Sequence, residues 1–70
     1  MPDTIAVIVN GETREVTPDA TLEDLLDLLE LDSRAVVVEL NRDIVRRPAL
    51  GETRLADGDK VELVHFVGGG

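Results

Sequence analysis

The dipeptide Asn10-Gly11 stands between the β-branched run Ile5-Ala6-Val7-Ile8-Val9 and the segment Glu12-Thr13-Arg14-Glu15-Val16. A tight hairpin turn needs positive φ at both of its central positions, and Asn-Gly accepts that at the least cost, so this junction predicts an antiparallel hairpin at the start of the chain. The first segment is apolar on both faces and suits an interior strand covered by other elements. The second is mostly polar and suits an edge. A lone hairpin is marginal in water, so the rest of the chain has to cover it.

The next signal is helical. Thr17-Pro18-Asp19-Ala20 ends the second strand, and Thr21 precedes Asp24 at capping-box spacing, with Asp in the place of Glu or Gln. Leu22, Leu25, Leu26 and Leu29 then recur at the spacing of one helical face, while Glu23, Asp24, Asp27 and Glu30 cover the other. This predicts an amphipathic helix of about ten residues, its apolar stripe widened by Leu28. So short a helix is unstable alone and must lean on a sheet.

Beyond a turn at Asp32-Ser33-Arg34, the run Ala35-Val36-Val37-Val38-Glu39-Leu40 is a second extended segment, with Glu39 toward water and Val36, Val38 and Leu40 toward the core. Asn41-Arg42-Asp43 turns the chain into a very short strand at Ile44-Val45, which Pro48 closes. Residues Ala49 to Ala56 show no period and read as an irregular crossover anchored by Leu50 and Leu55. Asp57-Gly58-Asp59 is a tight turn before a last strand from Lys60 to Val67. The order β-β-α-β-(β)-β predicts an α+β domain, a mixed sheet of four to five strands with one packed helix, compatible with a β-grasp arrangement.

Seventy residues make one small domain. A chain this short buries only about 60% of its unfolded surface, which leaves no room for a deep, walled active site, so it is not expected to be an enzyme. The absence of Cys excludes disulfides, thiolate metal sites and a cysteine nucleophile. Fifteen acidic side chains against seven basic ones give a net charge of -8, which disfavours nucleic acid and anionic membranes and favours a protein partner. The amino terminus lacks a secretory signal pattern and no apolar run approaches the roughly 20 residues of a membrane span, so a cytoplasmic location is expected.

Little else carries chemistry. His65, the one histidine, has no nearby metal-ligating partners and reads as a structural or surface residue, and no metal site is expected. Asp57-Gly58-Asp59 lacks the following oxygen ligands of a calcium loop. The distinctive feature is Gly68-Gly69-Gly70, directly after the last strand. Three consecutive glycines form a mobile thread without side chains, suited to a narrow channel in another protein, though a frayed terminus has the same composition.

Several segments together resemble the ThiS-like sulfur-carrier family of thiamine biosynthesis, whose members have the ubiquitin-like β-grasp fold. They are Val9-Asn10-Gly11-Glu12, Thr21-Leu22-Glu23-Asp24-Leu25-Leu26, Val36-Val37-Val38-Glu39-Leu40-Asn41 with Ile44-Val45, and Leu55 to Val64 running into Phe66-Val67-Gly68-Gly69-Gly70. The middle loop departs from the family pattern at Arg46 and Leu50. The resemblance implies a β-grasp domain over residues 1–67 and a flexible glycine tail over 68–70. It implies a protein cosubstrate, with no cofactor of its own. A ThiF-like adenylating enzyme would use ATP and Mg to adenylate the carboxylate of Gly70, and sulfur drawn from a cysteine desulfurase would convert it to a thiocarboxylate. A ThiG-like thiazole synthase would receive that sulfur, with Gly68 and Gly69 supplying reach.

If Val61 and Leu63 point inward, Glu62, Val64 and Phe66 share the opposite face and lead toward the tail, which makes them the expected partner-docking residues. Arg46, Arg47 and Arg54 read as solubility charges. Three other readings remain open on sequence: a carrier for molybdopterin or another metabolite, a ubiquitin-like protein modifier, and a non-covalent β-grasp binding module.

Overall fold

The computed structural model describes residues 3–66; residues 1, 2 and 67–70 lie outside the described residues, and with them the outer limits of the expected domain and the whole glycine tail. Five strands and one helix follow in order: β1 (Ile5–Val9), β2 (Glu12–Val16), α1 (Leu22–Leu28), β3 (Val36–Leu40), β4 (Asp43–Val45) and β5 (Lys60–His65). Short 3-10 helices cover Ser33–Ala35 and Arg47–Glu52.

The strands form one mixed sheet in the order β2-β1-β5-β3-β4. β1 and β5 are parallel neighbours, so nearly the whole chain serves as the crossover that parallel pairing demands. The other pairings are antiparallel. This is the β-grasp architecture of an α+β domain, with β5 at its centre and β2 at one edge. Asn10 and Gly11 occupy the first turn at φ 48° and 85°, as the hairpin signal requires.

One face of the sheet carries Val7, Val9, Val36, Val38 and Val61 into a core closed by Leu22, Leu25 and Leu26 of α1 and by Leu50 and Leu55 of the crossover. The crossover is more regular than its sequence suggests. Arg47–Glu52 forms the second 3-10 helix, with Pro48 in its first turn, where a missing N–H costs nothing. Backbone bonds from Leu22 N to Thr53 O and from Leu55 N to Ala20 O then tie the return segment to the entry of α1.

The helix is shorter than its leucine spacing predicts. The Thr21 capping box forms at the amino end, but the helix stops at Leu28, with Leu29 as its C-cap. Glu30 turns left-handed at φ 58°, and bonds from Glu30 N to Asp27 O and from Leu31 N to Leu26 O close the end as a Schellman motif without the usual glycine. Leu28 does not widen the buried stripe; it is 60% exposed. At about 100° per residue it points roughly 115° away from the mean direction of Leu22, Leu25 and Leu26. The strand expected from Ala35 begins at Val36, and the last strand, expected to run to Val67, ends at His65.

Candidate functional site

Alternation along the strands puts the residues between the core positions on the other face of the sheet, which no helix among the described residues covers. Register brings Val37 beside Val64 and Glu39 beside Glu62 across β3 and β5, and Ile44 beside Glu39 across β3 and β4. Ile44, Val64 and Phe66 are 65%, 55% and 61% exposed. Phe66, the only aromatic residue in the chain, follows β5 directly and is held there by its N–H to Ala35 O at 2.9 Å.

The three residues expected to dock a partner, Glu62, Val64 and Phe66, are thus all exposed, while Val61 is buried and Leu63 packs against the core. Sequence reasoning missed Val37 and Ile44, which the register adds to the same patch. The cue was available in the placement of Glu39 toward water, because its antiparallel neighbour Ile44 must share that orientation.

Charge is unevenly divided. Residues 3–32 carry nine carboxylates against Arg14 alone, whereas six basic and six acidic side chains share residues 33–66. Arg46 and Arg47 line a shallow groove with Val37, Ile44, Pro48 and Phe66, so two of the arginines read as solubility charges border the apolar patch. Arg54 lies elsewhere, bridged to Thr21. Arg34, also in the groove, is paired with Asp32 at 3.0 Å; its guanidinium hydrogen bonds hold the Asp32 carboxyl below the ordinary value, and the carboxylate raises Arg34 in return. Both side chains are well exposed, so the pair adds little to stability.

A second set of residues holds β5 in place. The Leu63 N–H donates to Asn10 Oδ1 at 2.8 Å, and Asn10 Nδ2 donates to the Leu63 carbonyl at 3.2 Å. The Lys60 N–H donates to Asn41 Oδ1 at 3.0 Å, and Asn41 Nδ2 donates to Asp59 Oδ1 at 3.0 Å. Asp57 Oδ1 accepts from the Ala6 N–H at 2.8 Å, while Asp59 Oδ2 accepts from the Ala56 N–H at 2.7 Å. The Asp57-Gly58-Asp59 turn is therefore a fastening between β5 and its neighbours. The side chains of Asn10 and Asn41 reach strands remote in sequence, and turn propensity alone gave no sign of that.

His65 is exposed at the last position of β5, and among the described residues no three His, Asp or Glu side chains gather as metal ligands would. No helix among them is long and apolar enough to cross a membrane. Gly68, Gly69 and Gly70 lie outside the described residues. What the described residues offer is an exposed apolar strip with a charged border, ending at Phe66, two residues before Gly68 in sequence.

Comparison with known proteins gives this arrangement a context. Residues 7–70 match the model of the ThiS family. The sulfur carrier protein ThiS of Bacillus subtilis is 44% identical over 63 residues, covering 89% of this chain and 96% of that protein. A thiazole synthase of Paramagnetospirillum magneticum is 44% identical over 64 residues, 91% of this chain but only 20% of the synthase. The crystal structure of the thiamine biosynthesis protein ThiS from Geobacter metallireducens superposes with a TM-score of 0.80 at 35% identity, over 94% of this chain and 100% of that one.

Proposed function

This chain belongs to the ThiS family, and on that premise we propose that it is a sulfur carrier for synthesis of the thiamine thiazole, acting in the cytoplasm as a cosubstrate of other enzymes. The family match carries this reading, because it extends through Gly68-Gly69-Gly70 and couples the glycine segment to the β-grasp domain.

A carboxylate is a poor electrophile and must be activated before sulfur can replace one of its oxygens. A Gly70 carboxylate oxygen attacks the α-phosphorus of ATP in a ThiF-like enzyme; the new C–O–P linkage forms as the bond to pyrophosphate breaks. Hydrosulfide, released in the cell when a thiol reduces the persulfide of a cysteine desulfurase and is itself oxidised to a disulfide, then attacks the activated carbonyl carbon. The C–O bond to AMP breaks, a proton leaves the sulfur, and Gly70 carries a thiocarboxylate. ATP and Mg belong to the activating enzyme's site. Glycine at Gly69 and Gly70 leaves both sides of the reacting carbon clear of a Cβ, and Gly68 and Gly69 give reach.

Docking would use the outward strip of Val37, Ile44, Val64 and Phe66 with Glu62, which puts the root of the tail at the edge of the contact. A ThiG-like thiazole synthase is the proposed acceptor of the sulfur. Support comes from the Paramagnetospirillum magneticum synthase, which contains a stretch like this chain within its own length. ATP–pyrophosphate exchange catalysed by a ThiF-like enzyme tests the activation step: exchange should require this chain and vanish when Gly70 is deleted. Exchange that survives the deletion would refute Gly70 as the activated group.

A further inference from the structure

We infer that Asn10 is a positioning residue for the glycine tail, fixing the stretch Leu63 to Phe66 from which the tail departs. This rests on the carrier reading. From the residue before β5 onward, the backbone groups facing β1 belong to alternate residues: Asp59 O accepts from Ile8 N, and Val61 O accepts from Asn10 N. Leu63 is the next in that series. β1 has ended at Val9 and turned away into β2, so the Leu63 N–H and carbonyl face a place where no strand continues.

The Asn10 side chain fills that place. Its amide presents one acceptor and one donor, as a backbone peptide unit does, and it engages both polar groups of Leu63. On the other side, Val36 pairs with His65 and Ala35 O accepts from Phe66 N. The end of β5 is therefore gripped from both flanks only because Asn10 extends β1 by one side chain. Removing the amide would let this end swing on β3 alone. Val64 and Phe66 would stay beside Val37 through their pairing with β3 and its flank, so a partner could still dock, but the carboxylate of Gly70 would be delivered over a wider range of positions.

The left-handed φ of Asn10 separates this role from that of a turn residue. Asn10→Gly keeps the turn and deletes the amide; Asn10→Asp keeps the turn and the acceptor for the Leu63 N–H. Val16→Ala, in the buried end of edge strand β2, serves as a destabilised control away from β5. All are assayed as full chains at a temperature where circular dichroism shows them folded. In thiocarboxylate formation by a ThiF-like enzyme, Asn10→Gly should lower kcat about ten-fold. It should leave KM within about two-fold, and Asn10→Asp should recover part of the loss. Val16→Ala should leave kcat unchanged. Amide exchange in Asn10→Gly should quicken at Leu63, Val64 and Phe66 and stay unchanged in the hairpin strands.

Wild-type kcat in Asn10→Gly, or an equal loss in Val16→Ala, would overturn the role. If the wild-type chain itself forms no thiocarboxylate, the carrier reading fails separately. Amide exchange then decides on the grip: quickening confined to Leu63–Phe66 supports it, and unchanged exchange there overturns it.

Discussion

Glu39 on β3 and Glu62 on β5 stand directly opposite each other on the uncovered face of the sheet. Like charges in such a pair repel, and neither makes an ion pair among the described residues. Glu39→Gln should therefore raise the stability of the free protein by about 0.2–1 kcal/mol, measured by urea unfolding. The gain should shrink in high salt, where the repulsion is screened.

The apolar strip beside that pair should matter to partners and not to folding. Ile44→Ala and Phe66→Ala remove side chains that are 65% and 61% exposed, so each should change stability by no more than about 0.5 kcal/mol. In the activation assay each should raise the apparent KM about ten-fold, the loss of roughly 1.4 kcal/mol expected of an interface anchor. Unchanged KM in both variants would place the docking surface elsewhere.

Two leucines of one helix should behave in opposite ways. Leu26 is 2% exposed and Leu28 is 60% exposed. Leu26→Ala should cost about 2–5 kcal/mol, a large part of the stability of so small a domain, whereas Leu28→Ala should be nearly neutral. Glu30→Gly, at the left-handed end of the same helix, should stabilise by about 1 kcal/mol, because glycine adopts that φ without a Cβ penalty. Denaturant midpoints of the three variants check all of this.

Most of the fold was legible because its signals were local. Asn10-Gly11, the Thr21 capping box and the Asp57-Gly58-Asp59 turn each act within a few residues, and each appears where its chemistry requires. The helix end was not legible: the left-handed position falls on Glu30, and the bond from Leu31 N to Leu26 O that rewards it carries no glycine signature. The outward placement of Glu62, Val64 and Phe66 followed from alternation along one strand. Adding Val37 and Ile44 needed the pairing between strands, and the grip of Asn10 on Leu63 needed the parallel approach of β1 and β5, which join opposite ends of the chain.

Two glycines should separate backbone need from crowding. Gly58 has φ +88°, so Gly58→Ala should destabilise by about 1–2 kcal/mol although nothing lies within 4 Å of the added methyl. At Gly51 a Cβ would come within 2.9 Å of Glu23 Oε2, the tip of an exposed side chain that can swing aside. Gly51→Ala should therefore be neutral or stabilise by up to about 1 kcal/mol, through the unfolded state, in thermal melts of both variants.

The most direct test of the carrier chemistry is the intact mass of the purified chain after incubation with a ThiF-like enzyme, Mg-ATP and sulfide. The carrier reading predicts a gain equal to one sulfur for one oxygen, localised by fragmentation to Gly70 and absent without ATP or when Gly70 is deleted. An unchanged mass, with the same enzyme competent on its own carrier, would contradict it.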